Sequence, residues 1–517
     1  MRILMINPPH AAIGSRLAGE HLPPLGLLAI AGPLIDARHD VRLLDADYGN
    51  LPTEQIVARV IEQNPDAIML GHSGSTSAQP VINEITEKVR NQNAVIKIII
   101  GGVFPTWHWN EILQKNPQID VIVCGEGEAT TLNLITALDQ NQPLEFVPGI
   151  ACRSNGIPIK TPDAALIENL DDYRVAWELM EGHHYTYWGN RKAVVIQFSR
   201  GCPWPCTFCG QSRFWKKWRH RSPQSLADEM EMLYTKHDVR VFNFADENMA
   251  SNPKVWREFL EILIAKKLNL ILVGSIRADN IVRDAGFLHL YKQAGFERFL
   301  LGIENYNEEV LKRINKAGSV SKDREAIQLL RKHGILSMAT YVVGFGEERI
   351  RDFFQSMRRL LSYNPDQIQI VYVTPHRWTP YFDEVKHAEL VLTDQRFWDY
   401  KHQVLAMRHM KPQTVFLCVK FIELVLQARP QALFRVLFHQ DARLRNAMRW
   451  YTRIGRRVWF WELYQFFFVI KRTKTTITLE EFWDPLTIVP VEQAGENSLP
   501  TRPVSKPIIP TIPHAVQ

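Results

Sequence analysis

AVVIQFSRGCPWPCTFCGQ, residues 193–211, sets a short apolar run directly ahead of three cysteines, Cys202, Cys206 and Cys209, spaced C-x3-C-x2-C. AVVIQF reads as a buried strand, and the cysteine loop leaves its carboxyl end. Three thiolates this close can wrap one face of an iron–sulfur cubane, because soft sulfur ligands suit such clusters. Three cysteines, where four would close the cluster, leave one iron open to a small molecule that binds through nitrogen and oxygen. The alternative is a structural zinc site, which needs paired C-x2-C units and a fourth Cys or His. His220 is the nearest candidate and no second pair follows.

Downstream, the alternation of strand-like and helix-like segments continues. AVVIQF (193–198), VRVFNF (239–244), LILVGS (270–275), RFLLGI (298–303), SMATYVVG (337–344) and QIQIVYV (367–373) are candidate strands. Helical stretches such as PQSLADEMEMLYTKH (223–237) and KVWREFLEILIAKK (254–267) separate them. Six β/α units predict an incomplete barrel over 191–380, since a full eight-unit barrel needs about 250 residues.

Upstream, RILMI (2–6), VRLL (41–44), AIML (67–70), IKIII (96–100) and VIVC (121–124) read as parallel strands buried on both faces. With their intervening helices they predict a doubly wound α/β domain over residues 1–140. Polar and glycine-rich loops follow these strands: Asn7-Pro8-Pro9-His10, the stretch from Gly71 through Ser73 and Ser75 to Thr76, Gly101-Gly102, and Gly125-Glu126-Gly127-Glu128. Ligands of open α/β sheets bind at the carboxyl ends of the strands, so these loops predict one ligand crevice. No G-x-G-x-x-G opens the first helix, which argues against a Rossmann dinucleotide site.

Residues 141–190 show no sustained period and read as a connecting segment. Residues 381–480 look helical, aromatic and basic, and 481–517 read as a proline-rich disordered tail. The 517-residue chain is 46% apolar and 22% charged, a globular composition. Its net charge of +6 is too small to argue for nucleic acid, but it suits an acidic partner. The start, MRILMINPPH, lacks the apolar run of a secretory signal, and no stretch is long enough for a transmembrane helix. Cys124, Cys152 and Cys418 are scattered, which suits a metal site in a reducing cytoplasm better than a disulfide framework.

The spacing of Cys202, Cys206 and Cys209 resembles the signature of the radical S-adenosylmethionine (SAM) superfamily. That resemblance implies a [4Fe–4S] cluster whose open iron binds the amino and carboxylate groups of SAM. One electron from the cluster then cleaves the sulfonium to a 5′-deoxyadenosyl radical, which abstracts hydrogen from substrate. It also implies that Phe208 packs near adenine, that Asp246 and Glu247 meet the methionine amino group, that Ser275 belongs to the SAM site, and that Arg277 pairs with the methionine carboxylate. Glu304 would contact the ribose, and Gly344 with Gly346 would border the adenine.

The α/β domain resembles the cobalamin-binding domain of a large subgroup of that superfamily. Cobalamin would then be bound by Asn7, His10, Ser73, Ser75, Thr76, Gly101, Gly102, Gly125 and Glu126. The D-x-H-x-x-G motif that supplies a histidine to cobalt in other cobalamin proteins is absent, as is usual in this subgroup. RGCPWPCTFCGQSRFWKKWRHRSP (200–223), FNFADEN (242–248), TPHRWTPYF (374–382) and the MKP of 410–412 resemble most closely the anaerobic magnesium-protoporphyrin IX monomethyl ester oxidative cyclase family. That family forms the isocyclic ring of chlorophylls, with the new oxygen taken from water. A cobalamin-dependent radical SAM methyltransferase, acting on an unactivated carbon of a tetrapyrrole, lipid or other natural product, would share these domains and motifs.

Either reading implies a cytoplasmic, oxygen-sensitive enzyme, a small-molecule substrate and a one-electron donor such as flavodoxin or ferredoxin. Arg213 to Arg221 mixes aromatic and basic side chains. They suit a tetrapyrrole with carboxylates, cobalamin side groups, a donor-docking patch, or simply a solvated loop. RVWFWELYQFFFVI (457–470) is too short to span a bilayer and carries Glu462. It reads as a buried helix or as an interfacial helix in peripheral contact with a membrane, anchored by Arg453, Arg456, Arg457 and Lys471.

Overall fold

The computed structural model describes residues 1–10, 20–71, 76–316, 320–473 and 476–483. Five strands of the amino-terminal domain run parallel: β1 (Arg2–Asn7), β2 (Asp40–Asp45), β3 (Ala67–Gly71), β4 (Lys97–Gly101) and β5 (Val121–Val123). Their apolar runs are buried on both faces, as helices on either side of a parallel sheet require. The sheet order is β2-β1-β3-β4-β5, so β1 sits where the order reverses and the loops after β1 and β3 flank a crevice.

Two antiparallel strands, β6 (Ile150–Ser154) and β7 (Ile157–Lys160), extend this sheet beyond β5. They lie within 141–190, which the sequence presents as a connector. The hairpin is short, and β7 is an exposed edge strand containing Pro158, so it carries no alternating pattern to read.

The second sheet has the order β16-β15-β14-β13-β12-β9-β8. Its edge is a two-residue strand, β8 (Thr186–Tyr187), antiparallel to β9 (Arg191–Ile196). β9 leads into a small ribbon, β10 (Ser199–Arg200) with β11 (Arg219–His220), which brackets the cysteine loop. The remaining strands, β12 (Val241–Phe244), β13 (Ile271–Ile276), β14 (Phe296–Glu304), β15 (Leu336–Val343) and β16 (Gln367–Tyr372), run parallel to β9. This curled half-barrel of six parallel strands is the one expected. Large buried side chains, Phe198, Phe242, Trp256, Phe259, Phe296 and Phe299 among them, fill the space between strands and helices.

Residues 381–411 are mostly irregular, contrary to the expected helical region. The sustained helices are Pro412–Ala428, Pro430–Phe438 and Ala442–Tyr464. Pro412 and Pro430 occupy first-turn positions, where a missing N–H costs nothing. The short helix Leu479–Trp483 returns to the amino-terminal domain, where Trp483 stacks on His108 with centroids 4.3 Å apart. The tail beyond Trp483 lies outside the described residues. No helix among them is long and apolar enough to cross a membrane.

Candidate active site

The cysteine loop leaves the carboxyl end of β9 and is held by contacts that permit little variation. Gly201 has φ +88°, and a β-carbon there would lie 2.7 Å from the Lys217 carbonyl oxygen. A β-carbon on Gly210 would overlap the Trp378 ring at 2.0 Å. Cys206 is buried, Cys202 and Cys209 half-buried, and all three are free thiols. Burial pushes each thiol up, Cys209 to about 12, while Arg277 and Lys316 pull Cys202 and Cys206 back down. A bound cation would displace these protons, because a coordinating thiol is deprotonated outright. Among the described residues no three His, Cys, Asp or Glu side chains converge tightly enough for a single ion. His220 Nδ1 is 2.8 Å from the Arg221 carbonyl oxygen, and its ring stacks on Phe198. Three thiolates in one loop, with no second C-x2-C pair, fit a cluster with one open iron better than a closed four-coordinate zinc.

FADEN, after β12, supplies two carboxyls with different fates. Asp246 accepts from Phe198 N at 3.0 Å, Ser199 N at 2.5 Å and Ser199 Oγ at 2.6 Å. Through these contacts Asp246 fastens the start of the cysteine loop. Burial holds its carboxyl up at about 6, against the pull of those donors. Glu247 accepts from Trp215 Nε1 at 3.0 Å through one oxygen, and its buried Oε2 has no hydrogen-bond partner among the described residues. Burial pushes it to about 7, and it lies close enough to Cys209 to raise that thiol too. An unsatisfied buried carboxylate oxygen is costly, so it fits a ligand ammonium well.

Arg277 follows β13. Its Nε donates to Asp279 at 2.9 Å, and its guanidinium lies over the Trp204 ring at 4.3 Å. Ser275 is half-buried near the same strand end. On β14 the register shifts between Gly302 and Glu304, and Glu304 has φ +63°. Such a bulge re-aims a side chain. Here Glu304 meets Lys316 at 3.0 Å, with both side chains largely buried. Lys316 was missed from sequence: a lone lysine gives no signal until the fold places it beside Glu304 and near Cys206. Phe208 packs on the cluster of Val342, Phe345 and Val371 at the ends of β15 and β16. Gly344, at φ +95°, donates its N–H to Glu348 Oε2 at 2.6 Å, and Phe345 N donates to the same oxygen at 3.0 Å.

In the crevice of the first domain, Asn7 Nδ2 donates to Asp45 Oδ1 at 2.7 Å, and Tyr185 OH donates to Asp45 Oδ2 at 2.9 Å. His21, a further histidine near the crevice, is bound to the same Asp45 oxygen at 2.9 Å. Asn7 is therefore tied into a structural knot. His10 Nδ1 lies 2.8 Å from the Pro8 carbonyl oxygen. Gly102 and Gly125 take φ +114° and +79° at the ends of β4 and β5, next to Gly101. Ser73 and Ser75 lie outside the described residues.

Thr76 Oγ1 is 2.9 Å from Nδ1 of His376, in TPHRWTPYF. His376 stacks on Trp378 at 4.4 Å, and burial lowers it to about 3. The buried His376 Nε2 and Trp107 Nε1 have no hydrogen-bond partner among the described residues. Such donors and acceptors fit a cofactor rich in amide side chains, as cobalamin is.

Glu126 is held by partners from three segments. It accepts from Arg219 Nη1 at 2.8 Å, Arg200 Nη1 at 3.0 Å and Ile167 N at 3.0 Å. Glu128 also receives Arg200. Both arginines flank the cysteine loop, so the two carboxylates fasten it to the first domain. Three more basic residues of this stretch are paired in the same way: Lys216 with Asp163, Lys217 with Glu168, and Arg221 with Asp171 and Glu229. Lys216, Lys217 and Arg221 thus clasp the segment 163–171, while Arg213, Lys216 and Lys217 remain exposed to solvent.

Two family models match the chain, the B12 binding domain over residues 13–135 and the radical SAM superfamily over 196–360. The anaerobic magnesium-protoporphyrin IX monomethyl ester cyclase of Synechocystis sp. is 53% identical over 483 residues, covering 93% of this chain and 97% of that protein. The cyclase of Rubrivivax gelatinosus is 33% identical, covering 74% and 70%. The hopanoid C-3 methylase of Methylococcus capsulatus is 25% identical, covering 76% and 74%. Among solved structures, the cobalamin-dependent SAM radical enzyme OxsB, with aqua-cobalamin and SAM bound, matches with a TM-score of 0.65 at 16% identity. That match covers 89% of this chain and 72% of OxsB. The radical SAM methyltransferase TsrM from Kitasatospora setae, with cobalamin and a [4Fe-4S] cluster bound, matches at 0.61 and 16% identity, covering 75% of each chain. These last two likenesses establish the fold.

Proposed function

The chain belongs to the family of anaerobic magnesium-protoporphyrin IX monomethyl ester cyclases, and on that premise we propose that it closes the isocyclic ring of this tetrapyrrole in (bacterio)chlorophyll biosynthesis. What carries the reading is the likeness to the Synechocystis cyclase, which extends through both α/β domains and the carboxyl-terminal helices. The family's cofactors are a [4Fe–4S] cluster, SAM and cobalamin. When bound, the cluster and SAM supply a radical that abstracts hydrogen from substrate, in company with cobalamin.

The residues divide the remaining work. Cys202, Cys206 and Cys209 would hold three irons. Glu247 Oε2 would take the methionine amino group, and Arg277 its carboxylate. Lys316 would hold Glu304 beside the ribose, while Phe208 and the Gly344 turn would cover the adenine. The cobalamin domain, expected at 1–140, would run through Lys160, with its Gly101, Gly102 and Gly125 loops admitting the cofactor closely. Substrate would lie between the two crevices, shielded from water where Trp378 and His376 bridge them.

The electron donor would be an acidic flavodoxin or ferredoxin, which suits the net charge of +6. The carboxyl-terminal helices would make peripheral contact with a membrane. Methyl transfer to an unactivated carbon has only the support of more distant relatives. The test is substrate-triggered cleavage of SAM by the anaerobically reconstituted, reduced enzyme. Magnesium-protoporphyrin IX monomethyl ester should accelerate release of 5′-deoxyadenosine well above the substrate-free rate. No acceleration by this ester, with acceleration by another substrate class, would overturn the reading.

A further inference from the structure

Of the large apolar side chains exposed among the described residues, all but Tyr48, Val95, Phe146 and Ile157 fall between Ile350 and Val469. Three packed helices carry most of them. On Pro412–Ala428, Leu417, Phe421 and Leu424 recur at i, i+4 and i+7, which is one outward stripe. On Pro430–Phe438, Phe434 and Phe438 are each 63% exposed, with their rings 5.4 Å apart. At the end of Ala442–Tyr464 and in the π-turn after it, Phe460, Trp461 and Phe468 are exposed, Phe468 at 77%. The helices are locked together. Lys420 pairs with Glu462, and Arg449 donates to the carbonyls of Val436 and Leu437. Phe421 meets Phe354 of a barrel helix at 6.3 Å. Monomeric proteins rarely expose apolar side chains at this density without a partner.

The charges beside these stripes identify the partner. Between Ala442 and Arg472 the chain carries seven arginines, one lysine and a single acid, Glu462, which is buried against Lys420. Arg453, Arg456, Arg457 and Lys471 are exposed. A second copy of the chain would set this basic face against itself, an unfavourable arrangement for a symmetric contact. An anionic lipid surface complements it: the rings enter the headgroup region while the arginines meet phosphates. We infer that the outer face of these three helices docks on an anionic bilayer. A cavity lined by Tyr372, His402, Phe416 and Phe466 lies between these helices and the end of β16.

The inference extends the membrane contact proposed above, and its test uses no substrate, so its failure leaves the cyclase reading untouched. The full chain is floated with phosphatidylcholine vesicles and with vesicles containing phosphatidylglycerol, at low and high salt. It should float with the anionic vesicles only, and less as salt rises. The variant R453Q/R456Q/R457Q should bind roughly a hundredfold more weakly. F434S/F438S/F468S, which alters only exposed rings, should lose binding while keeping the circular dichroism and melting point of the parent. Three outcomes would overturn the inference: no flotation with anionic vesicles at low salt, binding that appears only after residues 484–517 are removed, or a dimer that the phenylalanine variant converts to monomer.

Discussion

Glu126 and Arg219 pair at 2.8 Å, with both side chains almost fully buried, and so join the loop after β5 to the ribbon that brackets the cysteines. Burial works against the Glu126 carboxyl, yet hydrogen bonds from Arg219, Ile167 and Arg200 hold it below its ordinary value. The tie between the cobalamin domain and the cluster loop is therefore a desolvated ion network, sensitive to losing one partner.

Removing the carboxylate would leave the buried Arg219 guanidinium without its carboxylate partner and Arg200 with Glu128 alone. Glu126→Ala should destabilise the protein by roughly 3–5 kcal/mol, measured by urea unfolding. A change under about 0.5 kcal/mol, the range of ordinary surface substitutions, would show that the network is not what holds the two parts together.

The two carboxyls after β12 should separate cleanly. Asp246→Ala leaves the N–H groups of Phe198 and Ser199 and the Ser199 hydroxyl without their acceptor, at roughly 2–3 kcal/mol of stability. Glu247→Gln should fold normally and bind SAM roughly tenfold more weakly, as loss of a charged hydrogen bond implies. Equilibrium dialysis with SAM checks this; equal affinity in parent and variant would remove Glu247 from the site.

Glu348 gives a pH signature. Burial pushes it to about 7, while the Gly344 and Phe345 N–H groups pull down. Between its unfolded value near 4.5 and about 7, the folded chain keeps a proton that the unfolded chain has released. Its contribution to stability is complete below pH 4.5 and is lost as pH rises through 7. Glu348→Gln cannot titrate, so its stability relative to the parent should improve by about 3 kcal/mol from pH 4.5 to 8. Parallel unfolding curves of parent and variant across that range would contradict the assignment.

Lys316 should matter to the cofactor as well as to the fold. Lys316→Met leaves the Glu304 carboxylate buried without a cation and removes a positive charge near Cys206. The reduction potential of the reconstituted cluster should fall, since the oxidised, less negative state is then relatively favoured. Spectroelectrochemistry reads this. An unchanged potential with an intact cluster would place Lys316 too far away to influence it.

Much of this was legible in the sequence, for a physical reason. Parallel strands buried on both faces must be apolar throughout, so RILMI, IKIII and AVVIQF announce themselves, and three cysteines in one loop have few bland explanations. What the sequence hid is how distant polar groups pair. Glu126 follows a strand, where ligand residues belong, but the fold gives it to Arg200 and Arg219. Asp246 and Glu247 are adjacent in sequence, yet only the structure shows that one is fastened to Ser199 while the other has an oxygen without a partner among the described residues. The β6–β7 hairpin was silent because an exposed edge strand needs no pattern. The clash that Gly210 avoids with Trp378 spans nearly the whole second domain.

The most direct test of the account follows the product. The reduced enzyme is given magnesium-protoporphyrin IX monomethyl ester and SAM in water enriched in oxygen-18, and the tetrapyrrole is analysed by mass spectrometry. The account predicts a ring-closed product carrying one oxygen-18, with 5′-deoxyadenosine formed alongside it, and neither when Cys206 is replaced by alanine. A product that has gained a methyl group and no oxygen-18 would contradict it.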